Sequence, residues 1–155
     1  MVILLVIVLR GCLISITIVH SVVIHWVYHI MISFIIPGKP QPKQRPRVTS
    51  HGTYTPQATV DYERLVGWQC RSVYKGKPLT QAVKMTVRVF VKLPKRTVKE
   101  KGDWHTQRPD LDNICKSVSD SLNGIAYEDD SQIVYLVATK QWASEDYVII
   151  EIEEV

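Results

Sequence analysis

Cysteine is scarce: Cys12, Cys70 and Cys115 are three in 155 residues, odd in number and far apart. No C-x-x-C pair exists, which argues against a zinc site or a disulfide framework and leaves reduced, buried thiols as the expectation. Charge is nearly absent from residues 1–30, where Arg10 stands alone among Val, Ile and Leu. Acid is absent among Lys39, Lys43, Arg45 and Arg47. Base is nearly absent near the end of the chain. There Glu128, Asp129, Asp130, Glu145, Asp146, Glu151, Glu153 and Glu154 face only Lys140. No internal repeat is present.

What remains is enough for one domain with a hydrophobic core. The net charge of +4 and pI near 9.0 permit a nucleic-acid partner without requiring one. A second basic zone holds Lys92, Lys95, Arg96, Lys99, Lys101 and Arg108. Basic zones beside a separate acid cluster suit a polyanion and a metal cation together.

Residues 1–30 do not fit the rest. A membrane anchor needs about 20 apolar residues in a row, and Arg10 interrupts the span at a costly position. A secretory signal needs a positive start and a small-residue cleavage site, and neither is found. The favoured expectation is a start codon placed too early. The chain then divides into an apolar extension, 1–30, without function, and a working domain, 31–155.

From Met31 onward, residues 32–36 read as a strand, and the Pro-rich basic stretch to Arg47 as extended chain. Thr55 and Pro56 read as N-cap and first position of a helix. Ala58, Tyr62, Leu65, Val66, Cys70 and Val73 give that helix one apolar face. Val83, Met85, Val87, Val89 and Val91 alternate with polar residues, as in a half-buried strand. Residues 94–109 read as a long basic loop. A second helix is expected over residues 112–123, stopped by Asn123-Gly124. The apolar run 133–138 suggests a central strand covered on both faces. A turn at residues 144–146 leads to a last strand carrying Val148, Ile150 and Ile152. The fold class is α+β: a single domain, with a mixed sheet of about four strands and two main helices, in the order β-α-β-α-β-β.

Asp110, Asp112 and the pair Asp129-Asp130 carry the chemistry to explain. If residues 110–112 are extended, Asp110 and Asp112 share one face. Lys116 follows Asp112 by one helical turn. Clustered carboxylates repel unless a cation neutralises them. Mg²⁺ takes carboxylate and water oxygens and keeps places for phosphate. The bland readings are a helix cap for Asp110 and Asp112 and a solvated turn for Asp129-Asp130.

The whole string Arg108-Pro109-Asp110-Leu111-Asp112-Asn113-Ile114-Cys115-Lys116 is more specific. Asp120-Ser-Leu-Asn-Gly124 and Glu128-Asp-Asp-Ser-Gln-Ile133 follow it. With the upstream Ile36-Pro-Gly-Lys-Pro-Gln-Pro-Lys-Gln-Arg-Pro-Arg47, these motifs resemble the RusA family of Holliday-junction resolvases over residues 31–155. The resemblance implies a homodimer that binds branched DNA and resolves four-way junctions by paired, symmetrical, Mg²⁺-dependent nicks in recombination and repair. It implies metal binding by Asp110, Asp112 and Asp130, catalysis by these three and Lys116, and support from Asp129 and Asn113. Cys115 fills a variable place and is given no chemistry.

Arg45, Arg47, Lys95, Arg96, Lys99, Lys101 and Arg108 are the candidate DNA contacts. For any one lysine of the long loop, a solvated face is the plainer reading. Trp104 and His105 either stack on an unpaired base or pack loosely on the surface, and His51 is taken as a loop residue. No small-molecule cofactor and no membrane association are expected, and the location expected is the cytoplasm, with the nucleoid. Two competing functions are a broader nuclease on flaps or forks and a junction binder that has lost activity.

Overall fold

The computed structural model describes residues 3–9, 12–18, 26–50, 52–94 and 103–155. Strands β1 (Ile3–Leu9), β2 (Cys12–Ile18) and β3 (Trp26–His29) form their own antiparallel sheet in the order β1-β2-β3. The β-branched residues that crowd this segment favour a pleated surface. Next come β4 (Met31–Pro37), a hairpin of β5 (Arg47–Thr49) and β6 (Gly52–Tyr54), α1 (Gln57–Val73) and β7 (Val83–Lys92). Helix α2 (Leu111–Leu122), a 3-10 turn (Asp130–Gln132), β8 (Ile133–Ala143) and β9 (Tyr147–Glu154) complete the chain. The main sheet has the order β4-β9-β7-β8. Its first two pairings are antiparallel and β7 with β8 is parallel, so the sheet is mixed and the fold is α+β as expected.

Alternation places the core. Ile32, Phe34 and Ile36 of β4 stand opposite Ile152, Ile150 and Val148 of β9, which in turn stand opposite Met85, Val87 and Val89 of β7. All nine are buried. Their shared face packs with Tyr62, Val66 and Cys70 of α1 and Ile114, Val118 and Leu122 of α2 in one cluster. Each fully buried side chain of this size contributes about 1.5–3 kcal/mol. Gly67 packs beside the residues that follow α2, where an added Cβ would meet Ile125 Cδ1 at 3.0 Å.

Several expectations need correction. Strand β8 is an edge strand, not a central one. Val134, Tyr135, Leu136 and Val137 are 56, 59, 52 and 47% exposed. A continuous apolar run is the mark of cover on both faces, and here that cover is missing among the described residues. Helix α1 begins one residue later than expected, with Pro56 at the N-cap and no side-chain cap bond. Its buried face takes Thr59, whereas Ala58 and Val73 are exposed. Helix α2 begins at Leu111, with only Asp110 still extended. The β5–β6 hairpin had no sequence signal strong enough to read. Among the described residues no helix is long and apolar enough to cross a membrane.

Candidate active site

Asp110 stands at the N-cap of α2, after a cis Arg108–Pro109 bond. It occupies a cap position but makes no side-chain cap hydrogen bond. Leu111 turns toward the core, and Asp112 lies exposed in the first helical turn. Lys116, also exposed, follows on the same face one turn later. The positive end of the helix dipole favours carboxylates or phosphate here.

Two lysines shape this turn. Lys140, near the end of β8, donates from Nζ to the carbonyls of Gln107 (2.7 Å) and Pro109 (2.6 Å). Burial lowers its pKa from the ordinary lysine value, while the Asp110 charge pulls the other way. Lys43 donates its backbone N–H to the Asn113 carbonyl at 2.8 Å. Its Nζ pairs with Glu63 Oε1 at 2.6 Å and Asp120 Oδ2 at 2.9 Å. Burial works against the Lys43 charge, but the two carboxylates outweigh it and hold the ammonium above the usual lysine range. A cleft of about 440 Å³ opens beside them, lined in part by Lys39, Lys43, Arg108, Asp110 and Asn113. Cationic side chains and a carboxylate not used as a cap thus share one hollow.

The second acidic turn is built differently. Asp129 caps the 3-10 turn, accepting from Ser131 N at 3.0 Å, while Gln132 Oε1 accepts from Asp129 N at 2.9 Å. Those bonds from Ser131 lower the Asp129 pKa from its ordinary value. Gln132 Nε2 donates to the carbonyls of Leu79 (3.0 Å) and Gln81 (2.8 Å), tying the turn to the start of β7. Half-buried Asp130 acts electrostatically on buried Tyr127, whose hydroxyl donates to Ser119 O at 2.9 Å. The Tyr127 pKa is raised, chiefly by burial and then by Asp130 and Asp120.

The two turns do not meet within one chain. Asp110 lies near Lys140 at the far end of β8, while Asp130 sits just before its first residue. The intervening strand spans roughly 23 Å at about 3.3 Å per residue. Among the described residues no three His, Cys, Asp or Glu side chains stand close enough to hold a metal ion. The donors are carboxylates, the right kind for Mg²⁺, but they are not gathered.

Arg108 lines the cleft, and Arg45 and Arg47 are exposed on and before β5. Lys95, Arg96, Lys99 and Lys101 lie outside the described residues, as does His51. His105 is buried, with its ring centroid 4.1 Å from that of Trp142, so it does not offer a face to a base. Trp104 stays 61% exposed and is anchored by its bridge to Gln141. Buried Cys115 has its thiol pushed up to about 11 by burial, with the Asp112 charge adding to it, which fits an inert residue.

Sequence reasoning missed Lys140 and the Lys43 clamp. The one available signal was that Lys140 is the lone base in an acidic stretch. Residues 103–105 also close the end of the β8 edge: His105 N donates to Lys140 O at 3.0 Å and Trp142 N to Asp103 O at 2.8 Å. For residues 133–139, β7 pairs on one side, and the described residues put no strand on the other.

Comparison with known proteins identifies the family. The family model described as Endodeoxyribonuclease RusA matches residues 37–153. The uncharacterized protein YqaN of Bacillus subtilis (strain 168) is 31% identical over 137 residues, covering 80% of this chain and 96% of that protein. The crossover junction endodeoxyribonuclease rusA of Lactococcus phage r1t is 39% identical over 74 residues, covering 47% of this chain and 55% of the phage protein.

Proposed function

This chain belongs to the RusA family of endodeoxyribonucleases, a group of DNA phosphodiester hydrolases, and from that premise we propose that it resolves four-way DNA junctions by paired, symmetrical, Mg²⁺-dependent nicks. The observation that carries this reading is the cleft that Asp110, which makes no side-chain cap bond, lines together with Lys39, Lys43 and Arg108. Such a hollow suits a phosphate held beside a metal-binding carboxylate.

In this reading Asp110, Asp112 and Asp130 hold the cation, whose chemistry is to neutralise phosphate charge and lower the pKa of bound water. Lys116 stabilises negative charge on the phosphate under attack. Asn113 and Asp129 support the two turns. Arg45, Arg47, Lys95, Arg96, Lys99, Lys101 and Arg108 take backbone phosphates, giving a salt-dependent affinity. Lys140 fixes the carbonyls just before Asp110 and so acts by positioning. Residues 1–30 take no part, and the enzyme works on DNA in the cytoplasm, with the nucleoid.

A homodimer supplies two equivalent sites for two cuts. Among the described residues no strand pairs with residues 133–139 on the side away from β7, and this supports it, because an unpaired apolar edge is a template for another strand. Two copies paired antiparallel about Leu136 would set Lys140 of one copy opposite residue 132 of the other. The Asp130 turn of each copy would then stand beside the Asp110 turn of its partner. The carboxylates that one chain keeps apart would be gathered by two.

The test incubates the full chain with a labelled four-way junction, a flap and a plain duplex, with and without Mg²⁺, and repeats it with Asp110→Asn. The expected result is junction cleavage with Mg²⁺ only, and binding without cleavage by the variant. Equal cleavage of all three DNAs contradicts the resolvase reading and favours a broader nuclease. Unchanged activity of the variant removes Asp110 from the site.

A further inference from the structure

Helix α1 carries a feature that the cleft at Asp110 does not use. Trp68 is 65% exposed, an unusual position for the largest side chain on a helix whose opposite face forms the core. At about 100° per residue, Arg64, Trp68 and Arg71 fall within one sector of roughly 60°. The arginines lie one turn before and one turn after the indole, and both are exposed. They border a groove of about 490 Å³ between α1 and the end of α2, floored by Val60, Gly67 and Ile125. A second hollow of about 350 Å³ continues past Arg71 to Lys75.

The acids nearby leave the arginines available. Glu63 and Asp120, which also line the groove, hold Lys43 at 2.6 and 2.9 Å. Asp61 stands 4.0 Å from Arg64 and both are well exposed, a geometry worth little. The groove reaches Asp120 and Ser121, one turn along α2 from Lys116, so it continues the exposed α2 face that carries Asp112. Arg64 to Arg71 spans about 10 Å along the helix, close to the rise of three nucleotides at about 3.4 Å each. An aromatic face between two guanidinium groups is the arrangement that binds an unstacked base and its flanking phosphates.

We propose that this face of α1 is a second DNA-contact surface, in which Trp68 stacks on a base unpaired at the branch point and Arg64 and Arg71 hold the neighbouring phosphates. It rests on the junction reading and adds a recognition element that the cleavage chemistry does not need.

The experiment uses the full chain carrying Asp110→Asn, so that binding is read without cleavage, on a four-way junction with 2-aminopurine at the branch and on a duplex of the same sequence. Trp68→Ala is expected to weaken junction binding about tenfold, within the range for loss of one base–aromatic stack, and to change duplex binding little. Trp68→Phe is expected to retain most of the affinity and the change in 2-aminopurine fluorescence that Trp68→Ala loses. Arg64→Gln with Arg71→Gln is expected to flatten the dependence of log affinity on log salt by about 1.8 in slope, two phosphates' worth. A Trp68→Ala protein of unchanged melting temperature that binds the junction as the parent does, with an unaltered fluorescence change, overturns the surface alone. A parent that does not prefer the junction to the duplex overturns the junction reading and the surface with it.

Discussion

The two acidic turns look alike as strings and differ as structures. At Asp129 the carboxylate is spent on the backbone: it accepts from Ser131 N, and Gln132 closes the capping box. At Asp110 the carboxylate occupies the cap position of a longer helix but makes no cap bond. There the turn is held from outside, by Lys140 on the Gln107 and Pro109 carbonyls and by Lys43 on the Asn113 carbonyl. A carboxylate that folds its own turn is poorly placed to bind anything else. One whose turn is held by neighbours remains available. The difference separates structural acid from candidate reactive acid without appeal to the motif.

The contrast can be broken at four points. The largest effect is expected at Asp110: Asp110→Asn lowers junction cleavage about a thousandfold, on the scale of losing one charge-stabilising group, with melting temperature and binding preserved. Lys140→Met comes next. It removes the donor to two carbonyls, so cleavage falls about tenfold to a hundredfold as for loss of an outer-shell partner. Stability is expected to fall by about 1–3 kcal/mol, measured by urea unfolding, and Lys140→Arg recovers part of both.

Lys43→Met leaves Glu63 and Asp120 facing each other without a cation. Stability is expected to fall by about 2 kcal/mol, with a smaller loss of cleavage. The pH dependence has a fixed sign. The Lys43 pKa is raised on folding, so its contribution is complete below the ordinary lysine value and is lost as pH rises through the raised one. The gap between wild type and Lys43→Met therefore narrows in strongly alkaline buffer, read as converging urea midpoints. The smallest effect is at Asp129: Asp129→Ala removes the cap of an exposed 3-10 turn, lowers the urea midpoint slightly, and leaves cleavage within a few-fold. If Asp129→Ala proved as damaging to cleavage as Asp110→Asn, the distinction between the two turns would collapse.

Much of this was legible in the chain. Alternation in residues 83–91 and 148–152 placed two strands of the core, and Asn123-Gly124 marked the end of α2, where Gly124 takes φ +68. The resemblance at residues 108–133 pointed to the Asp110 turn. Residues 133–138 misled, because hydrophobicity reports that a surface seeks cover and not whether the cover comes from the same chain. The role of Lys140 was hidden for another reason. Its two carbonyl partners lie about thirty residues earlier, and only the α2 crossover between parallel β7 and β8 brings them together. The separation of Asp110 from Asp130 was equally invisible, since motif order carries no information about which end of a strand each residue reaches.

Mixing inactive variants tests most directly whether Asp110 of one copy works with Asp130 of another. Asp110→Asn and Asp130→Asn are each expected to be inactive on a four-way junction. After subunit exchange, verified by mass, half of the dimers carry one intact site, and the mixture is expected to nick single strands of the junction at roughly a quarter of the wild-type rate per site. A mixture that forms heterodimers yet stays inactive would contradict the shared site and return all three carboxylates to a single chain.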